Sequence, residues 1–343
     1  MDVPSTMRAL VYTAPHRVEL RDVPTPHTRP EQALIRVECA GICGSDLAGF
    51  EGRSTRRQPP LILGHEVVGR VVSAPVGASV SPGERVVANP LQTCGVCPAC
   101  RHGHDNICSN WRLLGMDDVQ GAFADYVAVD AANLTSVPDM MQPTAALMVE
   151  PLANSVHVLG LAEAGRFQSL AIIGGGTQGV LALALARLLG HRDIAVVESH
   201  PDRRTIAAEL GASLVINPAE TDPVTEIRAW SDGGVDVAIE AVGIGITRSA
   251  AVASVRKGGT VIMLGLHDQS SELDFAGMVR NEIALKGSFA YTSADFSRAL
   301  RLLVTQEIDP TPYVSVMPLD DGQEAFRNAL HPTGRTLKIA LSP

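Results

Sequence analysis

The sequence predicts an α/β protein in which a β-rich domain is joined to a doubly wound parallel sheet. Three observations predict it. Residues 7–140 alternate short apolar runs with Gly, Pro and charge, the texture of strands and turns. From about 143 the pattern changes to helices alternating with short buried strands, which implies a parallel sheet. A glycine turn, GGGTQG at 174–179, stands between the first such strand and a long apolar helix. A chain of 343 residues also exceeds what one compact core usually serves.

In order along the chain, RALVYTA, RVELRDVP and ALIRVECAG read as strands, and the pattern continues through VVGRVVSAPVGASVSPGERVVA and GAFADYVAV. PTAALMVEPLANSVHVLGLAEA has helical spacing. SLAIIGGGTQGVLALALARLLG then reads strand, turn, helix. DIAVVE is a β-run, PDRRTIAAELGA a helix with a Gly stop, and SLVIN, DVAIEAVG and GTVIMLGL are further buried strands. Past residue 281 the alternation is lost: EIALKGSFAY and TLKIALSP read as strands, ADFSRALRLL and DGQEAFRNAL as amphipathic helices. Residues 1–6 read as an extension ahead of a second start at Met7.

Bulk composition excludes several classes. Net charge is −9, against the basic face a nucleic-acid surface needs. No uninterrupted apolar run approaches the ~20 residues of a membrane span, and the longest, VLALALARLLG, is cut by Arg187. The N-terminus lacks the apolar core of a secretory signal, so a cytoplasmic protein is expected. In a reducing compartment, its six cysteines point to metal ligands before disulfides.

The glycine turn fits G-x-G-x-x-G through Gly174, Gly176 and Gly179, with Gln178 inside it and Glu198 closing the next strand. Gly174 permits the tight turn, Gly176 leaves room for a pyrophosphate at the helix N-terminus, and Gly179 lets helix and sheet approach. A carboxylate at 198 accepts hydrogen bonds from both adenosine ribose hydroxyls and repels a 2′-phosphate, favouring NAD over NADP. Arg203 and Arg204 argue the other way.

Two metal constellations follow. Cys94, Cys97, Cys100 and Cys108 have the spacing C-x2-C-x2-C-x7-C. Four thiolates match tetrahedral structural zinc with no position left for a substrate. Four cysteines also match an iron–sulfur cluster, but a nicotinamide turn calls for no one-electron partner. His102 and His104 read as loop residues. The second set is dispersed over GICGSD, LGHEVVG and MVEPLA: Cys43, His65, Glu66 and Glu150. Such a mixed set can keep a position open for water or substrate.

With these motifs in place, the chain resembles the zinc-containing medium-chain dehydrogenases/reductases from end to end, through GICGSD, GHEVVGRVV, the four-cysteine lobe, GAFADYV, VEPLA, GGGTQG, AAELGA and GSFAY. It looks most like the polyol (sorbitol) dehydrogenase branch, because Glu150 in VEPLA stands where alcohol dehydrogenases of the family carry a cysteine. The resemblance implies a GroES-like catalytic domain over 1–154, to which 291–343 return, around a Rossmann domain over 155–290. It implies zinc held by Cys43, His65 and either Glu66 or Glu150, with Asp46 supporting His65 and Ser45 taking the substrate proton. Leu264 to Leu266 and Phe289 to Tyr291 resemble the segments lining the nicotinamide. Two zinc ions per chain, NAD, a small alcohol or polyol as substrate and a homotetramer, with a dimer as the alternative, complete the expectation. A threonine-type or simple secondary-alcohol dehydrogenase is the runner-up. A zinc-free quinone-reductase-like protein would need a broken metal set and a basic group at 198, and shows neither.

The resemblance thins at three substrate-side positions: Ala48, Gly49 and Ala290 replace a His, an aromatic and an Arg of the sorbitol enzymes. The loop GRSTRRQ, with Arg53, Arg56 and Arg57, reads either as a solvated charged loop or as a site for a substrate phosphate or carboxylate.

Overall fold

The computed structural model describes residues 3–163 and 168–343. Two compact units divide the chain: Met1–Glu150 with Leu300–Pro343, and Pro151–Ala299.

The first unit is β-rich. Its elements are β1 (Thr6–Ala14), β2 (Arg17–Pro24), β3 (Gln32–Gly41), α1 (Gly44–Phe50), β4 (Leu61–Ile62), β5 (Glu66–Ser73) and β6 (Arg85–Ala88). Next come β7 (Leu91–Gln92), α2 (Pro98–Arg101), β8 (Arg112–Leu113), β9 (Tyr126–Asp130), β10 (Leu134–Ser136) and α3 (Pro143–Leu147). After the second unit the chain returns with a strand at Val314–Pro318, a helix at Gly322–Leu330 and a last strand at Lys338–Ser342. The last strand pairs antiparallel with β3, Ala340 against Gly41 and Leu341 against Ala40. On its other side β3 pairs with β5, Gly41 against Glu66. The start of the last strand is thereby set close to the motifs GICGSD and LGHEVVG.

Aromatic packing anchors the returning tail. Phe326 lies with its ring centroid 4.8 Å from Phe50 and 5.8 Å from Phe123, and all three are buried. Burying each such ring contributes about 1.5–3 kcal/mol. Thr6 pairs with Pro24, and Ser5 accepts a hydrogen bond from the Thr25 amide, so the sheet begins before Met7. That corrects the extension expected over residues 1–6, of which Met1 and Asp2 lie outside the described residues.

The second unit continues the numbering with α4 (Val149–Glu163), β11 (Ser169–Ile173), α5 (Thr177–Leu188), β12 (Asp193–Val197), α6 (Pro201–Glu209) and β13 (Leu214–Ile216). Then come α7 (Pro223–Trp230), β14 (Val235–Glu240), α8 (Gly245–Ser254), β15 (Val255–Met263), α9 (Phe275–Arg280) and β16 (Ala284–Gly287). The chain then passes into α10 (Ser293–Val304) and the returning β17 (Val314–Pro318), α11 (Gly322–Leu330) and β18 (Lys338–Ser342). Six strands form one parallel sheet in the order β13-β12-β11-β14-β15-β16. Ile172, Ala195, Ala238 and Val261 are fully buried, as strands covered on both faces require. The order reverses between β11 and β14, and a ligand crevice in such a sheet opens beyond the strand ends at that point.

One expectation is corrected, and one apolar helix stands beside the membrane-span reading. The α/β alternation runs on to Gly287, because β16 joins β15 in parallel. The six-residue crossover helix α9 is too short to show a helical period. Secondly, residues Pro143–Ala162 form a helical stretch that passes the length and composition of a membrane span, and 72% of its most apolar window is buried. Counting uninterrupted runs passes over it because Glu150, Asn154 and His157 are scattered through the stretch.

Candidate active site

Asp46 organises the site. Cys43 stands just before α1, and Asp46 in the first turn reaches back, its Oδ2 accepting the Cys43 amide at 3.0 Å. Such a reciprocal cap satisfies a backbone donor the helix leaves open. The other oxygen, Oδ1, is 3.4 Å from His65 Nδ1 and 3.6 Å from Arg57 Nε. Asp46 has no exposed surface. Burial alone would raise its carboxyl, but His65, Arg57 and the Cys43 amide outweigh that and hold it at about 2.

The turn LGHEVVG leads into β5 and sets His65 and Glu66, both buried, opposite the start of α1. One ligand atom from each of Cys43, His65 and Glu66 lies within 4.8 Å of the other two. Glu66 divides its oxygens between two environments. Its Oε1 is 2.6 Å from Lys338 Nζ, and its Oε2 is buried without a hydrogen-bond partner. Lys338, 4% exposed, also donates to the Ile42 carbonyl at 3.1 Å. Glu150, in the first turn of α4, is buried and near enough to raise the Lys338 ammonium together with Glu66 and Cys43, against the lowering effect of burial. It stands outside the group formed by the other three.

These residues fit a divalent cation. An orphaned buried carboxylate oxygen costs free energy unless something positive meets it. Counting Cys43 as thiolate, four anionic groups, Cys43, Asp46, Glu66 and Glu150, face two cationic ones, Arg57 and Lys338. The deficit is two positive charges, that of one zinc ion. Burial would push the His65 imidazolium down, yet Asp46 and Cys43 hold it well above its ordinary value, so the metal-free site draws in a proton that a metal would replace.

The four-cysteine lobe fits a second cation. Ligand atoms of Cys94, Cys97, Cys100 and Cys108 lie within 4.8 Å of one another. The Cys100 and Ser109 amides pull Cys97 down to about 6, while desolvation and the neighbouring thiols push Cys100 up to about 12. Four sulfurs so close cannot all ionise without a cation among them. His102 turns away, its Nδ1 2.7 Å from the Pro98 carbonyl.

In the second unit, Gly174 follows β11 with φ +105°, a conformation other residues rarely adopt. A Cβ on Gly179 would lie 1.8 Å from the Gly174 carbonyl oxygen. Glu198 follows β12, its Oε2 accepting the Gly175 amide and its Oε1 the His200 amide, each at 2.8 Å. Arg203 Nη1 is 3.9 Å from Glu198. Gln178 sits in the first turn of α5, its carbonyl 3.4 Å from the Ser155 hydroxyl. Leu264 and Gly265 follow β15 with their amides on the Glu240 carbonyl, and Leu266 is exposed. Tyr291 is buried and Phe289 half-buried.

Comparison with known proteins places the chain. Residues 29–139 match the alcohol dehydrogenase GroES-like domain, and residues 179–305 match the zinc-binding dehydrogenase domain. Sorbitol dehydrogenase of Bacillus subtilis is 33% identical over 350 residues, covering 99% of this chain and 98% of that protein. The chain belongs to the zinc-dependent medium-chain alcohol dehydrogenase family. L-threonine 3-dehydrogenase of Pyrococcus abyssi is 36% identical over 80% of each chain. A zinc-binding dehydrogenase candidate from Sinorhizobium meliloti 1021, solved bound to NADP, superposes with a TM-score of 0.89 at 30% identity, over 99% of this chain and 100% of that one. The protein is an oxidoreductase whose cofactors are zinc and a nicotinamide dinucleotide, and its GroES-like and Rossmann-type folds are those of the family.

Sequence reasoning missed Lys338. One signal was available: a charged residue opens the strand KIALS, otherwise apolar, and it is one of three lysines in the chain. What it meets depends on the pairing of β18 with β3.

Proposed function

We propose that the protein oxidises a secondary alcohol of a polyol, sugar or sugar phosphate to a ketone, with NAD⁺ as hydride acceptor. The observation that carries the reading is the convergence of Cys43, His65 and the unpartnered Oε2 of Glu66. These three would hold the catalytic zinc, with Glu150 close by as a carboxylate able to exchange with Glu66. Zinc, when bound, supplies a Lewis acid that lowers the pKa of a substrate hydroxyl and polarises a carbonyl.

The chain's own residues do the rest. Asp46 takes the Nδ1 side of His65, which leaves Nε2 for the metal and fixes the ring. Lys338 holds Glu66 by one oxygen. Ser45 takes the proton released from the substrate hydroxyl and passes its own outward to water or Glu150. Gly174, Gly176 and Gly179 shape the turn for the pyrophosphate, and Leu264, Leu266, Phe289 and Tyr291 line the nicotinamide. Glu198 Oε2 accepts the Gly175 amide and keeps a lone pair for a ribose hydroxyl, Oε1 is held by the His200 amide and the Ser199 hydroxyl, and the carboxylate charge opposes a 2′-phosphate; this supports NAD over NADP. The cysteine lobe would hold the structural zinc.

Two arginines of the loop at 52–58 argue for a neutral substrate before a phosphorylated one. Arg53 pairs with Glu51, and Arg56 with Asp117. A homo-oligomer is supported by β16, the last strand of its sheet, with Leu285 exposed on it and Phe275 and Val279 exposed on the preceding helix. Six free cysteines accord with a cytoplasmic protein.

The deciding assay is an activity panel with NAD⁺ and NADP⁺: sorbitol, sorbitol 6-phosphate, L-threonine and a simple secondary alcohol. The expected result is fastest turnover of a polyol or sugar with NAD⁺, lost on zinc removal and regained on readdition. Preference for L-threonine would shift the reading to the threonine-type enzyme. Full activity without metal would overturn it.

A further inference from the structure

The third arginine of the loop at 52–58 behaves unlike the other two. The Arg56 guanidinium lies 3.9 Å over the Trp111 ring, and its Nε lies within hydrogen-bond distance of both Asp117 oxygens, at 3.1 and 3.2 Å. The Ser54 hydroxyl accepts the amides of both Arg56 and Arg57, at 3.3 and 3.1 Å. The backbone is thus pinned at Arg56 and Arg57, and the Arg57 side chain turns inward and is 4% exposed. There Nη2 donates to Ser45 Oγ at 3.1 Å, and Nε, 3.6 Å from Asp46, has no hydrogen bond. A guanidinium sealed in with so few partners is costly, and a surface loop has no packing need for one.

Gly49 provides the room. A Cβ at that position would lie 2.9 Å from both Cβ and Cδ of Arg57. Any side chain at 49, an aromatic above all, excludes Arg57 from its present place. The glycine at 49 and the buried guanidinium of Arg57 therefore depend on each other for space.

We propose that Arg57 is a positioning residue that acts through the Ser45 hydroxyl, an inference that rests on the function proposed above. A hydroxyl offers two lone pairs and one proton. A guanidinium donates only and keeps its charge at every working pH. Arg57 fills one lone pair of Ser45 Oγ. The other lone pair and the O–H are left, the two positions a proton relay needs. The substrate proton arrives on the free lone pair as the hydroxyl's own proton leaves along O–H to water or a carboxylate, and neither reaches Arg57. Its fixed charge stabilises electron density on Oγ during that crossing and holds the hydroxyl in one direction.

The test is a double-mutant cycle on Arg57→Leu and Ser45→Ala, assayed on the best substrate of the panel above. Arg57→Leu should lower kcat about 10- to 100-fold, the equivalent of one charge-assisted hydrogen bond, with KM changed by less than about threefold. In the Ser45→Ala background the same substitution should cost less than about threefold. Millimolar guanidinium should restore part of the turnover of Arg57→Ala, which a general loss of structure would not allow. Zinc content of both variants should match wild type. Additive losses in the cycle would overturn the proposal. So would a rise in KM at constant kcat, which would make Arg57 a substrate-binding group, or loss of zinc from Arg57→Leu, which would route its effect through Asp46 and His65. If wild type oxidises no alcohol of the panel, the reading of function fails and this inference falls with it; an active wild type with an additive cycle sinks this inference alone.

Discussion

Replacing Lys338 by Met leaves Glu66 buried with its charge unmet. The substitution keeps the aliphatic stem and removes the ammonium that sits 2.6 Å from Glu66 Oε1 and 3.1 Å from the Ile42 carbonyl. Both partners are almost fully buried, with side chains 4% and 0% exposed, so solvent cannot make good the loss. Breaking one side of a buried pair costs about 3–5 kcal/mol. At about 2–4 °C per kcal/mol for a unit of this size, the metal-free protein should melt about 6–20 °C lower. Zinc should return part of that, because a cation on Oε2 compensates the charge that Lys338 no longer meets. Glu66→Gln combined with Lys338→Met should cost less than Lys338→Met alone, since the uncompensated charge is gone. Urea unfolding with EDTA, then with zinc, measures all three. A loss under about 1 kcal/mol for Lys338→Met without metal, or a double variant as unstable as the two losses summed, would refute the reasoning.

The two metal sets separate in their failures: Cys43→Ser should abolish turnover in a folded protein that keeps one zinc, whereas Cys97→Ser should lose the other zinc and melt earlier, as metal analysis and calorimetry will show. Gly179→Ala should weaken NAD binding by at least about tenfold in a fluorescence titration, because its Cβ cannot stand 1.8 Å from the Gly174 oxygen without moving the turn. Asp236 offers a pH test away from either metal. Burial raises its carboxyl, but the Ser169 and Gln168 amides and Arg256 outweigh burial and hold the folded value below the usual one. Its stabilising contribution is therefore present above the unfolded value near ~3.9 and fades as pH falls through the lower folded value. The stability gap between wild type and Asp236→Asn should be about 1–2 kcal/mol at pH 7 and should narrow as pH falls through the lowered folded value; a gap independent of pH would contradict it.

Local pattern was enough for most of the fold. Strand, glycine turn and helix over SLAIIGGGTQGVLALALARLLG are legible because buried parallel strands and their helices carry their own periodicity. The short crossover into β16 was not, since six residues complete no recognisable period. Nor was the burial of Pro143–Ala162, because apolar content is the same whether a helix meets lipid or a core. Within the candidate site, ligand-type residues announce themselves by chemistry: cysteines at C-x2-C-x2-C-x7-C, a histidine beside a glutamate, a glycine-rich turn followed by an acid.

Charge partners are different. Nothing in GRSTRRQ distinguishes Arg57 from Arg53 or Arg56, yet one is buried against Ser45 and the others are held by acids nearer the surface. Nothing in KIALS says that its lysine meets Glu66, 272 residues away. The sequence by itself determined the fold class and singled out two candidate metal sets and a candidate dinucleotide turn, because each depends on residue type at short spacing. Tertiary structure alone decided which cation stands behind Glu66 and which stands beside Ser45. Those pairings are made by β18 closing on β3 and by a glycine at 49 leaving room, and electrostatic contact depends on distance in space, which spacing along the chain does not report.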